Sequence, residues 1–152
     1  MANPLTLLMP VKSGFLELPA LAATLLLQQK QLHAALTTIG TVHYARILIL
    51  DRTNANLRPD LKGPYVLAVI TEYDGSFEAY IGDFVAKVGD IFDELLKHVV
   101  GAESLIPVKN NVDAFGAFIA ANDASQQPPN NKPLYEAYPQ TVQQILAAFP
   151  PA

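Results

Sequence analysis

Cysteine and tryptophan are both absent from this chain. Without cysteine there is no disulfide, no thiolate metal site and no cysteine nucleophile, although the compartment is not fixed by that alone. Charge is also scarce. Asp, Glu, Lys and Arg make up 16% of the 152 residues, against about 25% in an ordinary soluble domain. The three histidines stand far apart, a poor basis for a transition-metal site. Lys and Arg are scattered and the net charge is −4. Phosphate contacts need clustered cations, so nucleic acid is not an expected partner. No glycine-rich phosphate loop, HExxH zinc pair or nucleophile elbow occurs. The apolar run from Leu18 to Leu27 is too short to span a bilayer. It is preceded by no basic residue except Lys12, with Glu17 between, so it does not read as a signal peptide. The expectation is a cytoplasmic protein with no membrane partner.

Apolar residues are plentiful, at 51%, enough for one domain with a core that needs no staples. Much apolar and little charged surface suggests that a partner covers part of the chain. A homodimer is the expected form, because symmetric pairs are the commonest oligomers.

In chain order, Leu5–Val11 reads as a first strand, with Pro10 arguing for an edge position. Leu18–Ile39 follows helical spacing through Leu18, Leu21, Leu25, Leu32, Leu36 and Ile39, and Gly40 supplies a stop. Thr41–Asp51 and Tyr65–Tyr73 are β-branched apolar runs around a polar connection, a hairpin signature. Ser76 can cap a second helix from Phe77 to about Val100, with Asp83, Asp90, Asp93 and Glu94 on its outer surface. Val112–Asn122 reads as a short helix capped by Asp113, Pro133–Tyr138 as a fourth strand, and Thr141 as the cap of a last helix through Ala148. The order is β-α-β-β-α-(α)-β-α. This predicts an α+β, ferredoxin-like fold with a four-stranded antiparallel sheet, the helices on one face, and the other face packed on a second copy.

The hairpin carries His43-Tyr44-Ala45-Arg46 on one strand and Tyr73-Asp74-Gly75-Ser76 where the other meets its helix. On these residues the chain resembles the dimeric α/β-barrel superfamily, and within it a group of bacterial proteins with an H-aromatic-A-R strand and a Y-D-G-S helix start. The resemblance implies two subunits packed sheet to sheet. It does not imply one activity, since the superfamily holds haem peroxidases, chlorite dismutases, cofactor-free monooxygenases and plain binding modules.

Arg46 is the informative residue. A guanidinium in a covered strand cannot shed its charge and needs a carboxylate, carbonyls or water. Ala45 and Ala68 are small enough for close approach by helices. That places His43, Ala45, Ile47, Val66, Ala68 and Ile70 beneath the helices. Tyr44, Arg46, Leu48, Leu67, Val69, Thr71 and Tyr73 then face the partner. On this reading Arg46 either pairs with Asp74 or Glu136 as a structural ion pair, or anchors a ligand in a cavity lined by Tyr44, Thr71, Tyr73 and Tyr135. His43 is a hydrogen-bonded structural residue or, in the alternative, a base or haem ligand. Two functions follow. One is a homodimeric small-molecule-binding or structural module. The other is a small-molecule enzyme, oxygenase- or peroxidase-like, using Arg46 and His43. No cofactor is required by the sequence; haem is an option only through the resemblance.

Overall fold

The computed structural model describes residues 2–60, 63–130 and 139–149. Strands β1 (Asn3–Pro10), β2 (Val42–Asp51) and β3 (Tyr65–Tyr73) form a three-stranded antiparallel sheet in the order β1-β3-β2. Four α-helices accompany it among the described residues: α1 (Glu17–Ile39), α2 (Phe77–Leu96), α3 (Val112–Asn122) and α4 (Val142–Ala148). No helix among the described residues is long and apolar enough to cross a membrane.

This corrects the expectation of a ferredoxin-like, four-stranded sheet. The proposed fourth strand, 133–138, lies outside the described residues. The outer edge of β1 is met by the segment at Asp123, which forms an isolated bridge with Leu7. Thr6 N donates to Asp123 Oδ1 at 2.9 Å, and Ser125 Oγ shares its one proton between the Pro4 carbonyl at 3.0 Å and Asp123 Oδ1 at 2.7 Å. Side chains thereby satisfy edge groups that a neighbouring strand would otherwise pair. Pro4 and Pro10 have no N–H to offer, which also suits an edge.

Helix α2 buries more residues than the other α-helices. Ser76 Oγ accepts from Ala79 N at 3.2 Å, and Glu78 sits in the first turn, where the dipole favours an anion. The helix ends at Leu96, earlier than its apolar spacing suggests, because the following residues are recruited by the strand system. Val99 bridges to Val11, and Val100 N donates to the Pro10 carbonyl at 2.9 Å. Asp93 is not on the outer surface as expected. It is buried, and its Oδ1 accepts from Val108 N at 2.9 Å, tying the 3-10 turn Val108–Asn110 to α2. Helix α1 is held more loosely. Leu21 is its one buried residue, and Leu18, Leu25, Leu32, Leu36 and Ile39 are half-buried against the core, while Leu26 and Leu27 point to solvent. Gly40 ends it with a left-handed φ of 70°. Helix α3 begins after Asn111. Asp113 does not cap it but lies in its first turn.

The core lies between one sheet face and the helices. Leu5, Leu7 and Met9 of β1 join Leu67, Val69, Thr71 and Tyr73 of β3 there, with Ile47 and Ile49 of β2 at the margin. Rings of Tyr73, Tyr80, Phe84, Phe92 and Phe115 follow one another through it at centroid distances from 4.1 to 6.2 Å. The opposite face is open, with Leu8, Tyr44 and Leu48 exposed. The β2–β3 connection is tied down at its base by Asp51, a fully buried carboxylate whose Oδ1 accepts from Thr53 N at 2.8 Å and Thr53 Oγ1 at 2.7 Å. These bonds hold its pKa below the ordinary carboxylate value against the opposing push of burial. Gly63 lies so close to that carboxylate that any Cβ there would overlap it.

Candidate functional site

The structure separates the residues that the sequence groups. Antiparallel pairing sets Arg46 opposite Ile70 and Leu48 opposite Ala68, whereas Ala45 stands opposite Thr71 and Ile47 opposite Val69. Cross-strand partners share a face. Tyr44 and Arg46 therefore stay on the open face, while Thr71 and Tyr73, together with Leu67 and Val69, lie buried beneath the helices. The expected cavity shared by Arg46, Thr71 and Tyr73 is not formed. Residue size misled, because Ala45 and Ala68 belong to opposite faces. Arg46 is exposed and makes no ion pair among the described residues. Glu72 shares the open face with Arg46. Tyr135 and Glu136 lie outside the described residues.

His43 sits where the β2 register slips, between Val42 and Tyr44. Its Nε2 lies 3.0 Å from Asp74 Oδ1 and, since a carboxylate only accepts, carries the proton of that bond. The other oxygen, Oδ2, accepts from Val142 N at 2.7 Å, the first residue of α4. Asp74 thus joins the β2 bulge to α4, and Gln143 Nε2 adds a bond to the Gly40 carbonyl at 2.6 Å. With Nε2 committed to Asp74, His43 is a poor fit for an axial haem ligand through that nitrogen. Burial pushes the Asp74 pKa up, and the Val142 N–H and His43 bonds push it down further, so it settles below the ordinary carboxylate value. The sign follows from that direction. A depressed carboxylate stabilises the fold above its unfolded pKa of about 3.9 and loses that contribution as pH falls through its folded value. The expected result is an acid titration of the Val142 amide resonance with its midpoint below about 3.9, absent in Asp74→Asn. A midpoint at or above that value would contradict this role of Asp74.

A different pair of residues faces open space. At the end of the sheet, a cleft of about 390 Å³ opens between Asn3 at the start of β1, Tyr73 at the end of β3, the turn Gly75–Phe77, Ala120 of α3, and Asp123 with Gln126. Local chemistry shapes each wall. Gly75 takes a φ of 91°, which a side chain would strain, and this turns the chain sharply into α2. Asn3 Nδ2 donates to the Gly75 carbonyl at 2.7 Å and closes the strand ends together. Tyr73 is 4% exposed and stacks on Tyr80, ring centroids 4.1 Å apart. Its hydroxyl makes no hydrogen bond among the described residues. Burial raises the Tyr73 pKa, and the negative charge of Asp123 raises it further.

Asp123 is the residue that sequence reasoning missed. It is 3% exposed. Its Oδ1 alone takes Thr6 N at 2.9 Å, Ser125 N at 2.9 Å and Ser125 Oγ at 2.7 Å. Its Oδ2 accepts no hydrogen bond among the described residues. The Asp-x-Ser spacing signals a local turn, but nothing local places that turn against β1. Among the described residues no group of three or more His, Asp or Glu is placed to hold a metal ion.

No family model, curated protein or solved structure matches this chain.

Proposed function

We propose that the protein is a small-molecule-binding module that works as a homodimer, with its ligand in the cleft bounded by Tyr73, Phe77 and Asp123. One observation carries this reading. The cleft, of about 390 Å³, is lined by Tyr73 and Asp123, residues 4% and 3% exposed, whose hydroxyl and Oδ2 have no partner among the described residues. Buried polar groups ordinarily find partners, and a concave site with a few convergent polar groups is where a ligand supplies them. The volume falls within the range of about 300–1,000 Å³ seen for small-molecule sites.

The test is a fragment library of mixed charge, screened by backbone amide shifts of the labelled protein. Binding fragments are expected to move the amides of Asn3, Gly75, Phe77 and Gln126. Shifts that cluster elsewhere, or no shifts from any class, would overturn the reading.

The homodimer rests on a separate observation. The open sheet face carries Leu8, Tyr44 and Leu48 as exposed side chains around buried Ala68, with Val66 and Ile70 half-exposed. An apolar band of this kind, bordered on the same face by Arg46 and Glu72, marks an interaction surface. A second copy is the occupant we propose, since a chain with 16% charged residues has little polar surface to spare. Light scattering decides it.

A further inference from the structure

We propose that the cleft selects a ligand with a positively charged, hydrogen-bond-donating head, a primary amine, carried on a flat apolar body. This rests on the reading of the cleft as a binding site and names the ligand class.

The charge balance of the cleft carries the argument. Among the described residues that line it, Asp123 is the only charged side chain, and no Lys, Arg or His stands with it there. Among the described residues, every hydrogen bond to Asp123 goes to Oδ1. The second oxygen is therefore left to whatever enters. A carboxylate held out of water without a cation is costly, and an ammonium group both neutralises it and donates to it.

The start of α2 at Ser76 pulls the other way, since a helix N-terminus favours anions. It is the weaker pull. The dipole is worth about half a charge, and Glu78 already stands in the first turn. The Tyr73 hydroxyl is a second acceptor beside Asp123, because a phenol oxygen can accept as well as donate. The apolar body is set by Phe77 and Ala120, which supply a ring and a methyl group to the lining. An amine head reaching Asp123 and a flat tail along Phe77 uses both halves of the cleft.

Calorimetric titration of the full chain at neutral pH with 2-phenylethylamine, 2-phenylethanol and phenylacetate tests the proposal. These probes share a ring and a two-carbon reach and differ in the charge of the head. The amine is expected to bind about 10-fold or more tightly than the alcohol, the gain typical of a charge-assisted hydrogen bond, and phenylacetate is expected not to bind. Asp123→Asn keeps an Oδ1 acceptor for Thr6 and Ser125 but removes the charge. It is expected to bring the amine down to the level of the alcohol. Phe77→Ala is expected to weaken both by a similar factor.

Equal or tighter binding of the alcohol or of phenylacetate by the wild-type protein would overturn the proposal. So would an amine preference that survives Asp123→Asn, or no binding of any of the three. The wild-type ranking decides the matter even if Asp123→Asn fails to fold. Failure here is distinct from failure of the cleft itself. Fragments of other charge that still shift the amides of Asn3 and Gly75 would leave the cleft standing and remove only the amine.

Discussion

Replacing Phe115 by alanine is expected to cost about 3–5 kcal/mol of stability, the usual range for deleting a buried aromatic ring. Phe115 is fully buried, with ring centroids 5.7 Å from Phe92 and 6.2 Å from Phe84. It and Ile119 are the two buried residues of α3, an 11-residue helix. A helix of that length is marginal without tertiary packing, so removing the larger anchor should loosen it as a whole. The consequence reaches the candidate site, because α3 ends beside the cleft and leads directly into Asp123. Thermal unfolding should show a fall of roughly 6–20 °C, taking about 2–4 °C per kcal/mol for a domain of this size. Phe118→Ala, on a half-buried position of the same helix, is the control and should cost clearly less. A loss below about 1 kcal/mol for Phe115→Ala, where buried rings ordinarily cost 3–5, would mean that α3 is not part of the cooperative core.

The second large effect concerns assembly. Light scattering is expected to return twice the 16.5 kDa chain mass for the wild-type protein, and the single-chain mass for Leu48→Glu. The reason lies in the sheet register. Leu8 and Leu48 both stand opposite Ala68, one from each neighbouring strand. They form an apolar row across all three strands, and Ala68 is its floor. A carboxylate at one end of that row would be desolvated on association, which costs several kcal/mol without a partner charge. In the single chain Leu48 is 37% exposed, so the same carboxylate stays hydrated and the fold should persist. The contrast separates an interface effect from unfolding. Leu26 and Leu27 on α1 are the competing patch, being 74% and 79% exposed. A wild-type monomer would remove the dimer. Dissociation by Leu26→Glu with Leu27→Glu, but not by Leu48→Glu, would move the interface to α1.

The candidate site was only half legible beforehand. The Tyr73-Asp74-Gly75-Ser76 run stood out as a strand end, turn and helix cap, and Tyr73, Gly75 and Ser76 of it do line the cleft. Arg46 also stood out, yet it lies on the open face, away from Thr71 and Tyr73. Alternation along β3 divides its residues into two sets but carries no sign saying which set points inward when both are apolar. Choosing by alanine size gave Ala45 and Ala68 the same direction, and pairing with β2 sends them to opposite faces. The slip in register at His43 adds a local change that alternation alone cannot foresee. Asp93 was misplaced for a related reason. A charged residue on a helix is ordinarily solvated, and its burial depends on Val108, a residue 15 positions away.

What the amino-acid sequence determined by itself was local. Helical spacing, the Gly40 stop and the Ser76 and Thr141 caps marked the starts or ends of α1, α2 and α4, because those signals act within a turn or two of backbone. The two apolar runs of the hairpin were equally plain. Only the tertiary structure decided which sheet face is covered, how many strands the described sheet contains, and where the unspent polar groups gather. Those outcomes rest on contacts between distant parts of the chain. The Asp123 carboxylate reaches 117 positions back to Thr6, occupying the edge of β1 and leaving one oxygen toward the cleft, and no local pattern in the sequence encodes that meeting.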